Sequence, residues 1–266
     1  MPFARINGLN FHYRIDGDGT RAFLLFNGAG LNTESWRELT PGLMRLGRVV
    51  RFDARGCGQT ETPQAPFTME DMASDGLALI DQLKIQQAFI VGHAFGGRVA
   101  QIFTRDHPGR VRALILCGTG GLYPPLPHDM EAQAADRNAD RATRIDIFFA
   151  QFFGSGFRRK HPERAEEIIR QAFGESGARP VGMAARATPQ ITPTEQYWGK
   201  IAPTIPVLLV YGAEDKYGHA ANRDDLKRRL VNSKLALIEG AGHLAIREEP
   251  EQVAAAMREF LKEKGL

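Results

Sequence analysis

Three short segments carry the residues whose types and spacing could do chemistry. The first is Gly92-His93-Ala94-Phe95-Gly96-Gly97, between the apolar run Ala88–Val91 and a helical pattern of Phe95, Val99, Ala100 and Phe103. Its outline is G-x-S-x-G, in which a sharp strand-to-helix turn lifts the central side chain above a sheet as a nucleophile. Glycine at the flanking positions lets strand and helix approach closely. Both glycines are present, but the central residue is Ala94. The second segment, Gly212-Ala213-Glu214-Asp215, follows the apolar run Val207–Tyr211. An acid at the carboxyl end of such a strand can hold a histidine ring and stabilise its charged form. Asp215 has the better spacing for this, with Glu214 the alternative, although an acid in such a turn can also cap a helix. The third is Gly240-Ala241-Gly242-His243, where small residues leave room for an exposed ring. Histidine suits a general base because its unperturbed pKa is near neutral. His12, His107, His128, His161 and His219 have no comparable context. His93 sits beside the turn and is expected to point away from the site as a structural residue.

These segments need elements to position them. Ala22–Phe26, Val49–Phe52, Ala88–Val91, Ala113–Cys117, Val207–Tyr211 and Leu235–Ile238 are short apolar runs, most of them followed at once by a turn residue. Such runs suit strands buried on both faces of a parallel sheet. Helical patterns alternate with them. One runs from Met72 to Leu83 and is opened by Thr68 and Asp71; another carries Val253, Met257, Phe260 and Leu261 behind Pro250. Alternation of strand and helix predicts a doubly wound α/β sheet. Ala4–Ile6 and Leu9–Ile15, joined by Asn7-Gly8, predict an antiparallel hairpin at its edge. The alternation breaks between about Leu122 and Lys200. There Ile145, Phe148, Phe149, Phe152 and Phe153 line one helical face. The expected division is therefore a core of residues 1–121 and 201–266 with a helical cap of residues 122–200. Tyr123, Phe149, Phe153 and Trp198 are the candidates to line a pocket between them, although the phenylalanines could equally pack the cap onto the core.

Composition narrows the partners. A net charge of +3, with no basic run longer than Arg158-Arg159-Lys160 or Lys227-Arg228-Arg229, implies neither nucleic acid nor an anionic membrane. No stretch approaches the roughly 20 apolar residues of a membrane span, and Met1–Gly8 has no signal-peptide core. Cys57 and Cys117 have no metal-ligand spacing and read as reduced thiols of a cytoplasmic protein. Thr33 stands where a dinucleotide fingerprint starting at Gly28 needs glycine, and no phosphate-binding GxxxxGK[ST] exists. Oligomeric state is left open.

The order position 94, Asp215, His243 is that of the α/β-hydrolases. Over nearly its whole length the chain resembles that superfamily, and most of all its small esterase and enol-lactone hydrolase branch. Asp53-Ala54-Arg55-Gly56-Cys57-Gly58 matches the D-x-R-G-x-G turn, and Gly242-His243 followed by Glu249-Pro250 matches the terminal signature. Asn27-Gly28-Ala29-Gly30 stands at the H-G-x-G loop, with Asn27 in place of histidine. The resemblance implies a mostly parallel eight-stranded sheet with helices on both faces and a helical cap. It implies an oxyanion hole from the amides of Ala29 and Phe95, a small ester or lactone substrate, and no metal or organic cofactor.

Alanine cannot attack a carbonyl. Two explanations follow: a serine hydrolase disabled by replacement of its nucleophile, or a natural chain with another activity. The second could be a cofactor-free enzyme using His243 as a base, or a binding protein without turnover. The intact acid, histidine and elbow glycines favour the disabled hydrolase, because a strained elbow has no evident use without a nucleophile.

Overall fold

A computed structural model describes residues 2–119, 139–173, 201–216 and 220–266. Eight strands form one sheet: β1 (Phe3–Ile6), β2 (Leu9–Asp16), β3 (Ala22–Phe26), β4 (Arg48–Phe52), β5 (Ala88–His93), β6 (Val111–Cys117), β7 (Val207–Gly212) and β8 (Ser233–Ile238). Their order across the sheet is β1-β2-β4-β3-β5-β6-β7-β8. β2 pairs antiparallel with both β1 and β4, and every pairing from β4 to β8 is parallel. The hairpin turns at Asn7 and Gly8, both with positive φ, the backbone that a two-residue turn of matching twist requires.

The apolar runs become strands because each can be buried on both faces. All residues of β3, β5 and β7 are buried. β8 departs from this, with Leu237 46% exposed; it is the last strand and has a neighbour on one side only. The helices are α1 (Thr40–Met44), α2 (Met69–Gln82), α3 (Phe95–Asp106), α4 (Arg141–Phe152), α5 (Phe157–Lys160), α6 (Pro162–Phe173), α7 (Ala220–Arg229), α8 (Ala245–Glu248) and α9 (Pro250–Glu263). α2 opens with a capping box in which Thr68 and Asp71 satisfy each other's amides. Two core clusters form. One gathers Leu24, Phe26, Ile90, Leu79, Val99 and Phe103 under α2 and α3. The other gathers Phe23, Phe89, Val91, Trp36, Met257 and Phe260 under α9. Helices thus cover both faces of the sheet.

A third cluster stands apart from the sheet. Ile145, Phe148, Phe149, Phe153 and Phe157 pack with Ala165, Ile168 and Leu244. It joins α4, α5 and α6 to the loop after β8. Of the expected cap, residues 139–173 are described; Tyr123 and Trp198 lie outside the described residues. Among the described residues no helix is long and apolar enough to cross a membrane. Both cysteines are buried and neither is in a disulfide, and burial pushes the Cys117 thiol up to about 12.

Candidate active site

The end of β5 runs straight into α3 through one residue, Ala94. Ala94 has φ 49° and ψ −116°, a conformation costly for any residue with a side chain. It is held there by the Ala94 amide donating to the Cys117 carbonyl at 3.0 Å, and by the Gly97 amide donating to the Ala94 carbonyl at 3.0 Å. The flanking glycines are sterically obligatory. A Cβ on Gly92 would stand 2.5 Å from the Gly97 Cα, and one on Gly96 would stand 2.2 Å from the Phe26 carbonyl oxygen.

Asp215 and His243 meet. His243 Nδ1 donates to Asp215 Oδ2 at 3.1 Å, and each side chain is 3% exposed. β7 delivers the acid and the turn after β8 delivers the histidine, because these strands are parallel neighbours ending at the same rim. The ring is not exposed as the small residues around it suggested; the Phe152 ring of α4 lies 5.8 Å away, centre to centre. His93 also departs from expectation. It is buried, its Nε2 donates to the His243 carbonyl at 3.2 Å, and its ring lies 5.1 Å from the His243 ring. It sits behind the histidine rather than turned away from it. Burial holds its pKa down at about 3, so it is neutral.

The loop after β3 lies on the other side of the elbow. Asn27 accepts from Trp36 Nε1 at 2.6 Å and donates from Nδ2 to the Phe52 carbonyl at 2.7 Å. This anchors the loop through a side chain that cannot carry charge. Asp53 adds a second anchor, accepting the Thr33 amide at 2.7 Å and the Gln59 amide at 2.9 Å. Ala29 follows Gly28 in that loop, and Phe95 is the first residue of α3, where a helix amide has no intrahelical acceptor. Among the described residues no group of three or more His, Cys, Asp or Glu is placed to hold a metal ion.

A strand-to-helix elbow followed along the chain by an acid and then a histidine is the order of the α/β-hydrolases. The model of the alpha/beta hydrolase fold family matches residues 21–250. The chain belongs to that family. Among its relatives, a poly(3-hydroxyalkanoate) depolymerase of Ectopseudomonas oleovorans is 28% identical over 245 residues, 91% of this chain and 84% of that protein. A 3-oxoadipate enol-lactonase 2 of Acinetobacter baylyi is 27% identical over 259 residues, 94% of this chain and 92% of that protein. A thermophilic esterase from Thermogutta terrifontis superposes with a TM-score of 0.79 at 27% identity, covering 99% of each chain. As a member of the alpha/beta hydrolase family, the chain has hydrolases for relatives and the expected eight-stranded fold.

Sequence reasoning named neither Phe152 nor Glu248 as a site residue and gave His12 no partner. Phe149 and Phe153 are buried in the cap's own cluster, whereas Phe152, one helical step away, reaches His243. His12, which had no apparent context, is buried against Asp53, with Nδ1 to Oδ2 at 2.8 Å. Glu248 is 1% exposed, and burial is the main cause raising its carboxyl to about 8. The adjacent Glu249-Pro250 matches a family signature, and that match drew attention one residue too far.

Proposed function

We propose that this site is an acyl-hydrolase centre for a small carboxylic ester or lactone, complete except for the nucleophilic oxygen. The observation that carries the proposal is the backbone of Ala94. Alanine gains nothing from φ 49°, yet the whole strand–turn–helix junction is built to hold it there. A cost of order 1–3 kcal/mol at one residue is expected where the strain serves chemistry. We read Ala94 as the replacement of a serine, leaving a chain that binds its substrate and does not turn it over. An engineered replacement accounts for this most simply.

With a hydroxyl at position 94, each remaining part has a task. His243 would take the hydroxyl proton on attack and return it to the leaving group. Asp215, at 3.1 Å from Nδ1, keeps the other ring nitrogen free to act as base and stabilises the imidazolium. The amides of Ala29 and Phe95 would hold the oxyanion, typically worth about 3–4 kcal/mol each. His93 stays neutral and adds no competing charge. Phe152 would give the acyl or leaving group an apolar wall, with Tyr123 and Trp198 beside it and Phe149 and Phe153 backing it from the cluster in which they are buried. The chemistry asks for no metal or organic cofactor, and the proposed setting is the cytoplasm.

The experiment is hydrolysis of short aryl esters and enol-lactones by the chain as it stands and by Ala94→Ser. Losing the nucleophile of such a triad costs on the order of 10⁶ in kcat, so restoring it should raise turnover by several orders of magnitude. The completeness of the Asp215–His243 pair without a nucleophile favours one other reading, a base that removes a substrate proton. Turnover by the chain as it stands, lost in His243→Ala, would select that reading instead.

A further inference from the structure

The end of the cap helix and the loop carrying His243 meet at one buried carboxylate. Glu248 Oε1 accepts the Gly242 amide at 2.9 Å, and Oε2 accepts the Gly154 amide at 2.7 Å. Gly242 immediately precedes His243. Gly154 lies two residues past α4, whose last residue, Phe152, faces the His243 ring. The two backbones touch. A Cβ on Gly242 would stand 2.5 Å from the Phe153 carbonyl carbon, and one on Gly154 would stand 2.3 Å from the Gly240 carbonyl oxygen. Further bonds cross the same seam. The Leu244 amide donates to the Phe152 carbonyl at 3.1 Å, and Glu214 accepts the Ser155 amide at 2.8 Å. Both loops that supply the histidine–aspartate pair therefore grip residues 152–155.

We propose that Glu248 is a positioning residue that locks the peptide before His243 to the end of the cap helix, so that cap seating and the His243–Asp215 bond form and fail together. This rests on the role given to His243 above, but its test needs no turnover.

The chemistry of the carboxylate supports the assignment. An ionised carboxylate only accepts, and its two oxygens can serve two amides at once. A carboxamide presents N–H hydrogens where one of those amides already points, and a protonated acid accepts more weakly at its hydroxyl oxygen. The groups facing Glu248 set which form is present. Burial and the carboxylates of Asp215 and Glu214 favour the protonated form, while the Gly154 and Gly242 amides favour the ionised one. Arg164 does not neutralise it, since its guanidinium donates to the backbone carbonyls of Arg247 and Glu248. Arg247 is turned to Glu38. The balance puts the carboxyl at about 8, so the two amide bonds strengthen as pH rises past that point, while the buried charge itself lowers overall stability.

The test is a nuclear magnetic resonance titration of the ¹⁵N-labelled chain as it stands. The Gly154 and Gly242 amide protons should move downfield with one shared midpoint near 8, because ionisation strengthens both bonds. The His243 Nδ1 proton should sharpen with that same midpoint. Glu248→Gln should remove the shared titration and broaden the His243 signal at unchanged circular dichroism; Glu249→Gln, one residue on, should leave all three signals as they were. If the glutamine variant does not fold, the titration of the unmodified chain decides alone. Amides that titrate while the His243 signal stays still would make Glu248 a structural tie and overturn the proposal, as would amides that do not titrate. Failure of Ala94→Ser to hydrolyse any ester would leave this result standing.

Discussion

Two histidine–aspartate pairs sit in this molecule, and by their own geometry they are hard to tell apart. His243–Asp215 spans 3.1 Å and His12–Asp53 spans 2.8 Å, all four side chains are nearly fully buried, and each acid follows a strand. Their surroundings differ. Asp53 is saturated by the amides of Thr33 and Gln59 as well as by His12, and the Thr60 hydroxyl donates to its own carbonyl. His12 sits within β2, and its amide donates to the Thr60 hydroxyl. That pair joins the edge hairpin to the loops after β3 and β4. Asp215 and His243 stand instead on the rim shared with the strained elbow and under the Phe152 ring. A buried pair becomes a candidate catalyst through what it faces, not through its own bond.

Substitutions in an Ala94→Ser background should separate the two pairs. The largest effect belongs to His243→Ala, which should lower kcat by on the order of 10⁶. His12→Ala should leave turnover per folded molecule close to that of its parent and lower stability by about 1–3 kcal/mol, the cost of an unsatisfied buried acceptor. Steady-state kinetics beside denaturant unfolding reads both; a large kcat loss from His12→Ala would break the distinction. Asp215→Asn should follow, at about 10⁴ in kcat, by presenting the wrong ring tautomer. Asp53→Asn should again appear in unfolding rather than in kcat, because an amide cannot accept the Thr33, Gln59 and His12 bonds as the carboxylate does.

How far the two pairs were legible in the sequence follows from the same contrast. Asp215 and His243 announce themselves because each ends a short apolar run with small residues around it, and parallel strands bring such ends together. The elbow was legible because steric demand leaves glycine as the only choice at 92 and 96. His12 and Asp53 are 41 residues apart, and strand alternation alone does not reveal that a polar residue finds a partner across an antiparallel pair. Phe152 was hidden among equals. Periodicity puts it on the same face as Phe149 and Phe153, and only the docking of α4 decides which ring meets the histidine. Glu248 left no pattern because its partners are backbone amides, which every residue but proline carries.

The remaining effects concern pH and sharpen the contrast further, because they come from groups behind the His243–Asp215 pair. His93 is depressed to about 3 from an ordinary 6.5. The unfolded chain binds that proton more readily, so its contribution to stability is present above 6.5 and lost as pH falls toward 3. Glu248 is raised to about 8 from an ordinary 4.5. Its contribution is present below 4.5 and lost as pH rises through 8. The two slopes oppose each other between 4.5 and 6.5 and leave a stability maximum there. Calorimetry across this range should show the acid limb flattened in His93→Gln and the alkaline limb flattened in Glu248→Gln. Unchanged limbs in both variants would mean that neither group is perturbed by burial in solution.

Position 94 is proposed as the seat of an acyl-transfer nucleophile from which one oxygen is missing. Intact-protein mass spectrometry of Ala94→Ser, mixed with a slowly released aryl ester, tests it most directly. A covalent acyl adduct should appear, located to residue 94 by peptide mapping. The adduct should form within the burst, accumulate in an Ala94→Ser, His243→Ala double variant only at a trace rate, and be absent from the chain as it stands. A folded Ala94→Ser protein that hydrolyses no ester or lactone and acquires no adduct would contradict it.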